Sequence, residues 1–523
     1  MKKLWTALLA LAMIFQLTAC QGSTGSAESP EQGDQTSSNK VVMTVTAEII
    51  TLDPQVNAGG TAANTVRQNI FEALARIDGE GNLQPVLATD WSVDESNTVW
   101  TFHLREGVKF HDGETLTAND VKATFDRFKT NPESTRAYYY ENLIEVNVID
   151  DYTVEMVTAE PQSNFIHIIA YDGSYIMSAK SLERSNEEIA KNPVGTGPYK
   201  FKESTANESV TLERFDDYWG ELPDITELKF ITVTEVATRV NMLRGGEADL
   251  ITGITDEDLE YFENNSDYEI MYGSSNRVGH LAMNSRRPGL DNILVRQAIE
   301  YAIDKEAIVT GILGDRGSVA HSVIAPLTFG YADTELYSYD PERSKELLKE
   351  AGYEEGELSL VIQSPDGRYY KDKECCMAIA QMLKEVGINA SVEVNDWATF
   401  VEKVKAPAES NTVDMWWMGW ESGTGEASQV LNVVFAKENF PPTGWNTMFF
   451  ENEEYDMLKN NVLKTMDESE QLEMYSRMQE LIMEDAVWVP ITVYNECAVY
   501  NSKLSDIEIT YTDVVRFTNV KIS

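Results

Sequence analysis

The sequence predicts an α/β chain of two or three domains. Segments that alternate apolar and polar residues take turns with segments of helical period along the whole body. The 523 residues are too many for one simple core. Hydrophobic residues make up 42% and aromatic residues 10%, enough apolar surface for a large interior, and no internal repeat divides it.

The chain opens with Lys2 and Lys3, then an apolar run from Leu4 to Phe15 too short for a comfortable membrane span. Leu17-Thr18-Ala19-Cys20 follows, a spacing that resembles a bacterial lipoprotein lipobox. The expectation is a signal peptide over 1–19 and a lipid-modified Cys20. A flexible linker then runs to residue 40, because QGSTGSAESPEQGDQTSSNK buries too little to fold. A coil of about 20 residues spans roughly 25 Å and keeps a folded body near the membrane surface, outside the cytoplasm.

VVMTVTAEIITLDP reads as a strand ended by Asp53-Pro54. Val66, Ile70, Ala73 and Leu74 share a face, which predicts a helix over 62–76. Thr98 to Leu104 alternates as a strand, and Thr117 caps a helix through Val121 and Phe125. Tyr152 to Thr158 is a further strand, and PVGTGPYKF is a turn cluster entering another. VATRVNMLRGGEADLI pairs a helix with a short strand, and DNILVRQAIEYAIDKEAIVTGIL reads as a helix pair. DPERSKELLKEAGY is a capped helix. LSLVIQS, a helix through Leu383 and INASVEVND form a strand–helix–strand unit. DMWWMGW is a buried strand, ESEQLEMYSRMQELIMED a long helix and VWVPITVYNECAVY a late strand.

A formal net charge of -44 argues against nucleic acid and against electrostatic docking on anionic lipid. With Cys20 acylated, Cys375, Cys376 and Cys497 remain, and an odd number is no disulfide framework. Cys376 shares a helical face with Ile379, Leu383 and Val386, as a small core residue; a vicinal or Cys497-linked disulfide is the alternative. The five histidines are scattered, and neither CxxC nor HxxxH occurs, so no metal site and no cofactor is expected. No Ser/His/Asp or Cys/His arrangement supports an enzyme.

LDP, LATDWSV, WTFHLREGVKFHDGETLTANDV, PVGTGPYKF, FDDYWG, LRGGEADL, VRQAIEYAIDKEAIV and PERSKELLKEAGY occur in that order. Together they resemble extracellular solute-binding protein family 5, the peptide- and nickel-binding group that serves ABC importers. The resemblance implies a two-lobed periplasmic-binding-protein-like fold of type II, cluster C. Lobe I is expected at 41–280 and 495–523, with an extra subdomain at about 56–190, and lobe II at 281–494. The chain should cross near Gly279 to Ser285 and near Pro490 to Asn495. The implied partners are a small peptide, a membrane permease and its ATPase subunits, with the protein itself a monomer. A nickel or metal-chelate ligand is the alternative.

Residues 414–435 are the richest candidate region for ligand. Trp417 and Trp420 supply flat apolar walls with one N–H each. In peptide-binding relatives an aspartate shortly after a Gly-Trp pair holds the ligand ammonium; here the pair is Gly419-Trp420 and Gly423 stands at the matching position. Thr424 and Glu426 lie in a stretch that looks more like the glutathione-binding branch, and Glu426 is the expected ammonium partner rather than Glu421. A peptide carboxylate calls for a guanidinium, with Arg368 first, Arg136 beside Tyr139 next, and Arg277 near the expected crossing. Trp397 and Asn446 are further candidates, and the loop from Asn57 to Thr61 is expected to form the opposite wall.

Overall fold

The alternating segments become one 11-stranded sheet in the computed structural model, which describes residues 39–56 and 60–523. The leader, Cys20 and the linker through residue 38 lie outside the described residues, as do Asn57, Ala58 and Gly59. One end of the sheet runs Asn389–Asn395, Ser359–Pro365, Met415–Trp420. The other runs Leu250–Thr252, Lys40–Val45, Glu227–Thr232, Ser209–Arg214, Tyr199–Thr205. Between them lie two long antiparallel strands, Tyr268–Met283 and Trp488–Asn501. Their register runs regularly from Tyr268↔Asn501 to Ser274↔Asn495, breaks, and resumes at Val278↔Val493. The two long strands together therefore join the two ends of the sheet, each bordering one of them. The stretch Val278 to Met283 pairs with Met415–Trp420, and Ala498 to Tyr500 pairs with Leu250–Thr252.

Around Met415–Trp420 the sheet is covered on both faces. Trp416 joins a core with Phe435, Tyr475 and Trp488, while Trp417 joins another with Leu281, Ile379 and Val489. A strand buried on both faces reads as an unbroken apolar run, which is why MWWMGW shows no polar alternation. Each indole removes roughly 200 Å² from water, an upper estimate of about 5 kcal/mol.

A separate four-stranded antiparallel sheet orders Ala88–Val93, Val99–Leu104, Thr153–Thr158 and Leu143–Asp150. Phe125 and Phe128 of the helix Ala118–Thr130 share its core with Phe102 and Met156. Thr117 stands at the N-cap of that helix, and Asp120 returns a carboxylate oxygen to its N–H at 2.8 Å. Asp340 caps Pro341–Glu350 by accepting from the Arg343 N–H at 2.9 Å.

The helix expected over 62–76 is shorter, Gly60–Ile70. Beyond it the chain is extended, because the carbonyls of Ala73 and Leu74 accept N–H groups from Val86 to Ala88. The helix end is covered by the turn cluster PVGTGPYKF. The Gly197 N–H donates to the Ile70 carbonyl at 2.9 Å, and a Cβ on Gly195 would lie 2.2 Å from that oxygen. Glycine is required there by close approach rather than by dihedral freedom.

Cys375, Cys376 and Cys497 are buried and free, and Cys376 packs with Ile379, Leu383 and Val386. Burial pushes the Cys497 thiol up to about 11 and that of Cys375 up to about 12, and raises Cys376 further. No helix among the described residues is long and apolar enough to cross a membrane.

His111 is half-buried with both ring nitrogens engaged. Nε2 donates to the Gly197 carbonyl at 2.9 Å, so Nδ1 is the acceptor for the Gly195 N–H at 3.3 Å. Burial holds its pKa down at about 4. An unfolded histidine titrates near 6.5, so between pH about 6.5 and 4 the unfolded chain binds the extra proton. The neutral-ring stability is present above that window and is lost as pH falls through it. Urea unfolding should show the wild type losing about 1.4 kcal/mol per pH unit relative to His111→Gln across the window. Parallel pH profiles for the two proteins are the contrary result.

Candidate functional site

Several chain segments converge on a cavity of about 750 Å³, within the range of small-molecule sites. Thr46, Arg368 and Glu421 line it just beyond the C-terminal ends of Lys40–Val45, Ser359–Pro365 and Met415–Trp420. Each of these strands has a parallel neighbour, and that end of an α/β sheet is where ligands usually lie. Gly60, Thr61 and Asn64 contribute the start of a helix, and Arg277 comes from the break in the long strand pair. Tyr494, Asn495 and Glu496 face it from the partner strand, and Tyr511, Thr512 and Asp513 arrive from the C-terminal segment.

The lining carries four guanidiniums (Arg136, Arg277, Arg316, Arg368) and four carboxylates (Asp172, Glu421, Glu496, Asp513). Arg136 is buried, pairs with Asp172 at 2.8 Å and lies over the Tyr171 ring at 4.7 Å, yet its Nε has no hydrogen-bond partner. Arg277 pairs with Glu421 through the same nitrogen that lies 3.7 Å from Asp513. Arg316 is 3.6 Å from Asp256 and stacks on Tyr370. Arg368 is exposed, lies 5.0 Å over Trp397, and has no carboxylate partner among the described residues. Burial raises both Glu496 and Asp513. The cavity thus offers an unclaimed cation on one wall and crowded anions on another, a pattern complementary to a zwitterion.

Of the residues expected to bind ligand, Arg136, Arg277, Arg368 and Gly423 line this cavity. The others do not, and each has another partner. Trp417 is fully buried; it stands behind the wall and donates to the Tyr494 hydroxyl at 3.2 Å. Trp420 packs edge-on to Trp445 at 5.3 Å. Thr424 is buried, its N–H bonded to Gln429 at 2.9 Å. Glu426 is buried as the N-cap of Ala427–Phe435, accepting the Ser428 N–H at 3.0 Å and its hydroxyl. The N-cap role explains why that carboxylate points into the protein. Asn446 is fully buried; its amide donates to the carbonyls of Phe435, Ala436 and Phe450 and accepts from the Phe450 N–H. Trp397 stacks on Phe400 at 5.5 Å and supports Arg368 from the rim. Tyr139 packs on Tyr171 at 5.0 Å and accepts from Gln429. In the loop expected as the opposite wall, Gly60 and Thr61 line the cavity, while Asn57 to Gly59 lie outside the described residues.

Sequence reasoning missed Tyr171, Asp172, Arg316, Tyr494 and the whole Tyr511–Asp513 turn. Tyr369 and Tyr370 were legible beside Arg368 in GRYYKD. The turn had a weaker signal, an aromatic and an acid among threonines between two short strands.

The family model described as bacterial extracellular solute-binding proteins, family 5 Middle, matches residues 82–442. The glutathione-binding protein GsiB of Escherichia coli strain K12 is 32% identical over 469 residues, covering 89% of this chain and 91% of that protein. HbpA2 from Haemophilus parasuis superposes with a TM-score of 0.82 at 24% identity, over 92% of this chain and 100% of that one. A dipeptide-binding protein from Pseudoalteromonas sp. SM9913, in complex with Met-Leu, gives 0.74 at 24% identity over the same shares.

Asn446→Ala removes a buried amide that serves four backbone groups. The expected result is a loss of about 3 kcal/mol in denaturant unfolding, with the cavity lining unchanged. A stable variant with altered cavity chemistry would return Asn446 to the ligand site.

Proposed function

This chain belongs to family 5 of the bacterial extracellular solute-binding proteins, with their two-lobed α/β fold, and from that premise we propose that it captures a small peptide of the glutathione or dipeptide kind. The cavity lining carries this reading. A peptide presents a carboxylate and an ammonium a few ångströms apart. Arg368, stacked on Trp397 and free of acidic partners among the described residues, is the carboxylate receptor. The carboxylates around Arg277 receive the ammonium. Tyr171, Tyr369 and Tyr494 supply flat walls for the backbone between them. GsiB, a relative over most of both chains, is named for glutathione, and a lining that carries both guanidiniums and carboxyl groups suits a ligand carrying both charges.

The long strands lose register between Ser274 and Val278, just before the expected crossing at Gly279 to Ser285. Residues 41–280 and 495–523 form one lobe, with the four-stranded sheet as an extra subdomain at about 56–190, and 281–494 form the other. Closure about that break encloses the peptide, and the closed protein hands it to a membrane permease driven by separate ATPase subunits. The protein works as a monomer outside the cytoplasmic membrane, held by acylated Cys20. Among the described residues no group of His, Cys, Asp or Glu is placed to hold a metal ion. A nickel ligand would enter as a chelate held through its own carboxylates.

The test is thermal unfolding of the protein with glutathione, mixed di- to pentapeptides, and nickel with and without histidine. A ligand at 100 times its dissociation constant adds about 2.7 kcal/mol. The expected response is to glutathione or a short peptide, weakened at least about tenfold by Arg368→Ala. A response to nickel–histidine alone would overturn the peptide reading.

A further inference from the structure

We propose that Asp513 receives the ligand's primary ammonium in exchange for its own proton, so that loading the cavity releases a proton to solvent. The inference rests on the peptide reading of the same cavity and adds to it a residue and a proton balance.

Asp513 occupies a turn between the strands Glu508–Ile509 and Val515–Arg516. Its φ is 64°, a left-handed conformation that aspartate and asparagine tolerate better than most residues. The turn is closed by the Asp513 N–H to the Thr510 carbonyl and the Thr510 N–H to the Val514 carbonyl, both 2.9 Å. Closure sets the carboxyl at the cavity wall with Oδ1 buried and without a hydrogen-bond partner. The nearest cation, Arg277, is already claimed by Glu421, and Asp513 Oδ2 lies 3.7 Å from the same nitrogen.

The groups facing Asp513 are therefore one guanidinium and two further acids. Arg277 and Ser275 belong to the long strand Tyr268–Met283, Glu421 follows Met415–Trp420, and Glu496 belongs to Trp488–Asn501. Arg316, farther along the lining, is engaged by Asp256 and the Ile254 carbonyl. One cation cannot compensate three clustered carboxylates, and Asp513, whose Oδ1 is buried and unpartnered, is the one left to keep its proton. Burial pushes Asp513 up to about 8, with Arg277 opposing and Glu421 and Glu496 adding to the rise. A ligand ammonium supplies both the missing charge and the hydrogen-bond donors for Oδ1. The balance is carboxylic acid plus ammonium giving a carboxylate–ammonium pair plus one proton, which passes to the buffer.

The experiment is isothermal titration of the protein at pH 6.5 and 9.5, each in two buffers of different ionisation enthalpy. The probes are glutathione and Ala-Ala, each beside its N-acetylated form. The expected result is close to one proton released per ligand at pH 6.5, net proton uptake at pH 9.5, where the peptide amine has lost its own proton and regains it on binding, and N-acetyl forms bound about 30-fold more weakly. Asp513→Asn should bind without proton release and lose most of the preference for the free amine. Glu421→Gln leaves Arg277 to Asp513 alone, so proton release at pH 6.5 should shrink while the free amine still binds. Proton-neutral binding by the wild type, or full amine preference in Asp513→Asn, overturns this step alone. Binding of neither probe overturns the peptide reading and this step together.

Discussion

Pairing between Tyr268–Met283 and Trp488–Asn501 is the constraint on which the rest of the structure depends. These strands share hydrogen bonds along most of their length, and together they join the two ends of the large sheet. A continuous ladder would make that junction stiff. The break between Ser274 and Val278 interrupts it at one place, and that place supplies Arg277 to the cavity. Loss of backbone pairing and gain of a charged site thus come from the same few residues, as bulges beside binding sites often allow.

The cavity is built from ends of elements rather than from their middles. Residues inside Met415–Trp420 are used by the cores on both faces, whereas Glu421 and Gly423, just past its end, reach the opening. Trp417 illustrates the division. It does not itself line the cavity, but its N–H fixes the Tyr494 hydroxyl and so the wall. Aromatic residues behind such walls hold geometry, while charged and phenolic groups at strand ends line the opening.

That division also explains what could be read from the sequence. Helix caps at Thr117 and Asp340, the strand MWWMGW and the helix bearing Cys376 were legible because local pattern and burial agree there. The end of the first helix was not, because Gly195 and Gly197, far along the chain, cover Ile70. Arg368, Arg136 and Gly423 could be identified from residue type and position. Glu426 and Asn446 carry equally suitable chemistry, yet buried backbone groups take them first, and no one-dimensional pattern distinguishes a cap from a receptor. Asp513 reaches the cavity by a left-handed turn and long-range convergence, neither visible as a motif.

The three buried thiols bear on one of the proposed cargoes, glutathione. Glutathione is a thiol, and its oxidised form is a disulfide that exchanges with any available thiolate. A cysteine held near 11 is ionised in only about one molecule in 10,000 at pH 7, and Cys375 and Cys376 lie higher still. Buried and protonated, they are poor nucleophiles and are shielded from collision. The cysteines among the described residues are thereby poor partners for exchange with a redox-active passenger, whether thiol or disulfide.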